Sequence, residues 1–312
     1  MADYVNRWGL GALQPIACTG ADGYLWVLEA DANALRALCD RYLNAPTGGA
    51  VNYQPVSHYV LLNIEHAQKL SPADPPFDVL GLEETEAALW VMTASMREEL
   101  GLQVVDHLAW FNPYMFVAEW LAIMGGREVY GFPKEQAWFA WPGDPANAGH
   151  FSIDVIGARQ FVPATMLERI RLLDINWAAG AGAPEPVTLD DFFNVLRELL
   201  FDRPLVPSPE LGLKLGEELF NRSIQLVFLK QFFDAADGTK ACYQAIVEAP
   251  VRLTGPANLQ HLPGDFQFTF QDLASHPIHR DLGLPLTQVV SGGFSIDVEY
   301  TIENGVTMWQ AP

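Results

Sequence analysis

The alternation of apolar and polar positions predicts that most of this chain is built from strands. Alternating or continuous apolar runs rich in β-branched and aromatic residues, bounded by turn residues, are typical of strands. In the first half of the chain such runs cover residues 24–30, 59–67, 87–94, 108–117 and 150–157. In the last third they cover residues 224–233, 239–248, 251–254, 266–270 and 294–302.

Helical spacing and irregular stretches account for less of the first half. A short helix is predicted over residues 32–42, and a second over residues 118–124 that stops at Gly125-Gly126, as a left-handed C-terminal turn would require. Residues 1–20 are predicted to form an irregular arm, because glycines and a proline interrupt every period. The Pro-rich stretch 69–78 is predicted to be a loop.

Residues 177–222 differ from the rest and indicate a helical insertion. Thr188 and Ser208 are well suited to cap its two helices, and Pro209 fits a first helical turn. Glu and Leu dominate the segment, and we expect no chemistry from it.

Charge and cysteine content narrow the class of protein. The 312 residues include 18 Lys and Arg against 38 Asp and Glu, which gives a formal net charge of −20. Such a charge argues against nucleic acid and anionic membranes as partners. Three separate cysteines without a CxxC pair indicate a reducing compartment. With no signal peptide and no apolar run of membrane-spanning length, a cytoplasmic protein is expected.

Several motifs that would assign a function are missing from the sequence. It contains no Gly-rich nucleotide loop, no HExxH and no GxSxG. His276 and His279 flank a proline without further ligands nearby, so no metal site is expected. No cofactor is predicted.

Lys134 is the most unusual charged residue, because it lies between Pro133 and the aromatic stretch 138–141. Apolar surroundings disfavour the ammonium and lower the pKa, which would leave a nucleophilic amine near neutral pH. The alternative is a solvated lysine in a surface turn.

The stretch from Gly126 to Lys134, with Arg127, Glu128 and Pro133 between them, resembles the lysine motif of the acetoacetate decarboxylase family. That family's stretch reads Gly-Arg-Glu, a spacer and Pro-Lys, and its lysine forms a Schiff base with a β-keto acid. The resemblance implies that Lys134 is the nucleophile. It also implies that Gly126, Arg127, Glu128 and Pro133 have structural roles, with Arg127 tying the loop.

The resemblance covers most of the chain and implies two acidic site residues, Glu65 in one strand and Glu86 at the entrance of the next. A solvated strand end is the alternative reading of Glu86. Two positions depart from the family pattern. Glu135 stands where a second lysine follows the nucleophile, and Ala21 stands where an arginine precedes the first strand.

On this reading the protein is a Schiff-base lyase acting on a small keto acid or ketone. Decarboxylation of a β-keto acid is the leading reaction. Alternatives are aldol condensation with dehydration of a pyruvate-like substrate, and a binding protein without turnover. Glu65 and Glu86 would shuttle protons. Phe132, Met115 and Tyr114 would form the apolar wall that desolvates Lys134.

The resemblance also implies an α+β fold, in which curved antiparallel sheets form a cone or barrel around the active-site lysine and helices lie outside. We expect one domain over residues 1–312, with the insertion at about 177–222. The family further implies a homo-oligomer.

Overall fold

The computed structural model describes residues 14–75, 77–142, 149–177, 183–206 and 208–312. Fourteen strands are found within these ranges. The strands are β1 (Ile16–Glu29), β2 (Tyr53–Pro55), β3 (Tyr59–Pro72), β4 (Leu82–Glu99), β5 (Leu102–Val117), β6 (Lys134–Ala140), β7 (His150–Gly157), β8 (Glu168–Trp177), β9 (Glu185–Val187), β10 (Ser223–Phe233), β11 (Ala241–Leu253), β12 (Asn258–Phe270), β13 (Thr287–Ile302) and β14 (Val306–Gln310).

Five α-helices accompany the strands in the described ranges. They are α1 (Ala32–Cys39), α2 (Trp120–Val129), α3 (Leu189–Asp202), α4 (Ser208–Asn221) and α5 (Ile278–Leu282). Asp31 caps α1 by accepting from the amides of Asn33 and Ala34. Thr188 and Asp191 form a reciprocal capping box at the start of α3, which satisfies backbone donors that a first turn leaves free.

The strands form one large curved sheet that is antiparallel at most pairings. The order runs β14-β11-β10-β5-β6-β7-β8-β12-β13-β1-β3-β4-β2, and β4 also pairs with β5. That pairing joins strands distant in the order and makes a ring of strands. Among the described pairings, two are parallel, those of β5 with β6 and with β10. The predicted α+β class with curved, mainly antiparallel sheet is confirmed.

The strands are longer than the sequence pattern predicted. β1 begins at Ile16, so the expected irregular arm is wrong for residues 16–20, while residues 1–13 lie outside the described ranges. β3 continues to Pro72 and takes in the start of the expected loop. Sequence spacing found β7 with its observed bounds but gave no strand at β2, β6, β8, β9 or β14.

Helix α2, which precedes the lysine, ends later than predicted. α2 does not stop at Gly125-Gly126 but continues to Val129. The left-handed backbone comes later, at Gly131, whose φ is 95°. A left-handed residue favours glycine because it has no Cβ, so the turn that leads into β6 is fixed by Gly131.

Aromatic packing stabilises one side of the ring. Trp26 lies against Phe151, Phe266 and Phe268, with ring centroids 5.2 to 5.6 Å apart. Separations and tilts of this kind are favourable for aromatic pairs. A second buried cluster, around Phe132 and Phe228, packs beside the lysine.

Candidate active site

The start of β6 and the end of α2 fix Lys134 in position. Arg127 Nη1 donates to the carbonyl oxygen of Lys134 at 3.2 Å. A Cβ on Gly126 would lie 2.9 Å from Lys134 Cδ, so only glycine leaves room for the side chain. The carbonyl of Gly126 also accepts from the amides of Gly131 and Phe132. Gly126 and Arg127 therefore both contact Lys134 and restrict its position.

Two carboxylates of β4 contact the lysine ammonium. Lys134 Nζ donates to Oε1 of Glu84, and Glu86 Oε2 lies 3.8 Å from it. Glu84 and Glu86 are two positions apart in one strand, so both face the same side of the sheet. Sequence reasoning named Glu86 and missed Glu84, although the two-residue spacing was visible as a signal.

Glu65 completes the group of acids from the neighbouring strand. Glu65 on β3 pairs directly with Glu86 on β4. The hydroxyl of Tyr300 on β13 donates to Glu65 Oε1 at 2.8 Å. Tyr300 lies 235 residues away in the chain, and no local pattern pointed to it.

Burial gives these groups shifted pKa values. Burial raises the pKa of Glu65 to about 7, although the Tyr300 hydrogen bond opposes the shift. Burial, and then the charge of Glu84, raises the pKa of Glu86 well above its usual range. Both residues are therefore suited to hold a proton near neutral pH.

The pKa of Lys134 differs from the expectation. Burial lowers this pKa, as predicted, but the charges of Glu84 and Glu86 outweigh burial and raise it above the ordinary value. In the free protein the lysine is thus an ammonium in an ion pair, because nearby anions favour its charged form.

The predicted wall residues are only partly brought together. Phe132 is buried, with Lys134 Nζ 5.4 Å from its ring centroid. Met115 is buried and pairs with Lys134 across β5 and β6. Tyr114 lies on the opposite face of β5, where its hydroxyl donates to Asp281 at 2.7 Å, and is not part of the wall.

The other two motif positions lie outside the group of acids. Glu128 is exposed in the last turn of α2. Pro133 is half-buried directly before β6. Neither side chain lines the space in front of the lysine.

The two departures from the family pattern have different structural consequences. Glu135 points away from the lysine, since its Oε2 lies 2.8 Å from Nε2 of His276 and half of its side chain is exposed. Ala21 is fully buried with Cys18 and Ala67. No cation therefore stands at either position beside the acids.

The lysine and the three acids lie at a cavity of about 400 Å³. This volume lies within the range of roughly 300–1,000 Å³ that is typical of small-molecule sites. Most of its lining is apolar. A buried amine, proton-holding carboxyls and an apolar wall together allow covalent chemistry at a carbonyl group.

Within the described ranges, no group of three or more His, Cys, Asp or Glu side chains is arranged to hold a metal ion. The same part of the chain contains no helix of the length and apolarity that crossing a membrane requires.

The fold and this arrangement define the class of structure to which the chain belongs, the acetoacetate decarboxylase-like fold. The acetoacetate decarboxylase of Legionella pneumophila has a similar structure over 99% of this chain and 92% of that one, with a TM-score of 0.59 and 13% identity. An acetoacetate decarboxylase-like enzyme from Sphingomonas wittichii matches over 98% of both chains, with a TM-score of 0.57 and 13% identity.

A third similar structure is that of an enzyme with a condensation product bound. The enduracididine biosynthesis enzyme MppR, complexed with the condensation product of pyruvate and imidazole 4-carboxaldehyde, matches over 97% of this chain and 92% of its own. Its TM-score is 0.54 at 12% identity. No family model and no curated protein matches the sequence. The resemblance in the sequence thus correctly predicted the fold.

Proposed function

We propose that this protein is a Schiff-base lyase in which Lys134 attacks the carbonyl carbon of a β-keto acid and carbon dioxide is then released. The observation that carries the proposal is a buried lysine that contacts two carboxylates and lines an apolar cavity. A lysine this deeply buried is rare unless its charge is used or paired.

Proton transfer precedes the attack, because Lys134 rests as an ammonium. Glu84 accepts a hydrogen bond from Nζ and lies within reach to take that proton. The neutral amine adds to the carbonyl carbon, and a carboxylic acid returns a proton to the leaving hydroxyl as water. Glu86, whose pKa is raised by burial, suits that step.

Loss of carbon dioxide follows from the protonated imine. The electrons of the bond to the carboxylate flow into the imine and give an enamine. A proton from an acid such as Glu65, whose pKa is about 7, converts the enamine carbon to the product imine. Water then releases the ketone and frees Lys134.

Aldol condensation with dehydration is the second candidate. It uses the same imine, but the enamine attacks an aldehyde and a hydroxyl then leaves as water. Two carboxyl groups with raised pKa values favour it, since dehydration needs an acid close to the leaving hydroxyl.

Borohydride trapping tests the shared intermediate. The protein is incubated with acetoacetate or pyruvate, reduced, digested and analysed by mass spectrometry for an adduct at Lys134. Lys230 is a matched control, because it is half-buried and burial lowers its pKa. We expect Lys230→Met to keep the adduct and Lys134→Met to lose it.

Three further results would contradict parts of the proposal. An adduct at Lys230 alone would exclude Lys134 as the nucleophile. No adduct with any carbonyl compound would leave a binding protein without turnover. An adduct with pyruvate and aldehyde-dependent product, without carbon dioxide release from β-keto acids, would favour the aldolase.

A further inference from the structure

The cavity extends well beyond the lysine and the acids, and its far part is apolar. The residues at positions 296, 298 and 300 of β13 all line it. Tyr300 reaches Glu65. Ile296 lies four residues away, which is about 13 Å at roughly 3.3 Å per residue of strand. The cavity therefore extends along β13 from Glu65 to Ile296, and it also continues past Tyr300 to Ile302.

Helix α3 contributes the far end of this space. Leu189, Phe192 and Phe193 line the cavity, and the capping box of Thr188 fixes the first turn that carries them. Phe192 packs edge-on against Phe294 of β13, with centroids 5.1 Å apart. The helical insertion, for which the sequence predicted no chemistry, thus helps to shape the cavity.

The charges around the cavity do not favour a compact anionic ligand along its length. Among the described lining residues, the cationic side chains are Lys134 and Arg222. Lys134 is paired with Glu84. Arg222 is exposed, and its Nη2 donates to the carbonyl of Gly255 at 2.8 Å. A short keto acid would leave most of this apolar surface without contact.

We propose that the substrate is a β-keto acid carrying an unbranched aliphatic chain of medium length, with the chain held along β13 and its end against α3. This inference rests on the proposed function and adds the substrate class. An extended β-keto acid of about ten carbons in all approaches the roughly 13 Å between Tyr300 and Ile296. Decarboxylation would then yield a methyl ketone and carbon dioxide.

Chain length is the variable to test. Carbon dioxide release is measured for acetoacetate, 3-oxohexanoate and 3-oxodecanoate, and binding of 1-decanol and 1-butanol is measured by calorimetry. Each buried methylene is expected to improve kcat/KM about threefold. We therefore expect at least a tenfold preference for 3-oxodecanoate over acetoacetate, and measurable binding of 1-decanol only.

Two phenylalanine variants, one at the cavity and one at an exposed position, test whether α3 contributes to the preference for long chains. Phe192→Ala should reduce the preference for 3-oxodecanoate over acetoacetate at least about fivefold. Phe233→Ala removes the same group from an exposed position and should leave the preference unchanged. The wild-type chain-length series needs no variant, so a folding defect in Phe192→Ala does not obscure the test.

The outcomes separate the two proposals. Efficient turnover of acetoacetate without any gain from longer chains, and without 1-decanol binding, would overturn the aliphatic substrate and leave the lyase intact. Binding of 1-decanol that depends on Phe192, without trapping or carbon dioxide release, would support the chain site and overturn the lyase.

Discussion

Glu84 and Glu248 are both buried carboxylates that pair with a basic residue, yet their surroundings differ. Glu248 Oε1 accepts from the hydroxyl of Tyr53 and lies equally close to Nε2 of His107, both at 2.7 Å. Gln225 donates to its other oxygen at 3.5 Å. Glu248 therefore has a partner for each oxygen.

Glu84 lacks such complete pairing. Its Oε1 accepts from Lys134, but its Oε2 is buried without a hydrogen-bond partner among the described residues. Glu65 and Glu86 lie close enough to Glu84 for the three carboxyl groups to interact electrostatically. An unpaired buried oxygen is costly, and groups that oppose stability are typical of sites kept for function.

The two clusters differ in how completely their hydrogen bonds are paired and in whether they line the cavity. The Glu248 cluster is satisfied and lies outside the cavity lining, as expected for structural stabilisation. The Lys134 cluster carries an excess of carboxyl groups over cations and opens on a cavity.

Lys134→Met should have the largest effect. Because the covalent intermediate needs the amine, we expect activity to fall on the order of 10³-fold or more, measured as carbon dioxide release. Unchanged activity would refute the mechanism.

Glu84→Gln should have the second-largest effect, with a fall in activity of about 10²- to 10³-fold. The neutral amide cannot take the proton from Nζ, although it still fits the space. Single-turnover trapping with borohydride should slow to the same extent, and Glu83→Gln, at an exposed neighbouring position, is the control.

Glu248→Gln should affect stability instead of chemistry. We expect a loss of about 1–3 kcal/mol in the free energy of unfolding, measured by urea denaturation, with normal trapping at Lys134. Strong loss of trapping in a folded variant would contradict the distinction drawn between the clusters.

The pH dependence of that loss follows from His107. Burial lowers its pKa, but the hydrogen bond and charge of Glu248 outweigh burial and raise it to about 9. A raised folded-state pKa gives stability that is present below the unfolded value of about 6.5 and lost as pH rises through about 9. The difference between wild type and Glu248→Gln should shrink over that window.

Glu65→Gln should stabilise the protein at high pH. Burial raises the folded-state pKa of Glu65 to about 7, so wild type loses stability as pH rises from about 4.5 to 7 and the carboxylate must ionise. The variant should gain up to about 3 kcal/mol over wild type at pH 8, and little at pH 4. A difference that does not vary with pH would contradict this account.

The fold could be predicted from the sequence because alternating apolar positions and a local motif indicate it, and the same motif singled out Lys134 as the candidate nucleophile. Alternation predicted the strands, and β7 was found with its observed bounds. The motif around Lys134 predicted the acetoacetate decarboxylase-like fold. The pattern gave no strand at β2, β6, β8, β9 or β14. Of these, β2, β9 and β14 have only three to five residues, which is too few to show a period.

The remaining features of the site depend on contacts between distant segments. Neighbours 134 and 135 point to opposite sides of β6, but alternation alone does not say which side is the interior. His276, which is 141 residues away, binds Glu135 on the outside. The Tyr300 contact with Glu65 and the contribution of α3 to the cavity likewise arise only when the sheet curves.

The sequence by itself determined where most of the long strands and helices lie along the chain and which lysine belongs to the motif, because local spacing encodes both. Only the tertiary structure decided the charge state of that lysine. Burial and nearby carboxylates act on it in opposite directions, and their balance depends on distances between β6 and β4, which lie 50 residues apart in the chain.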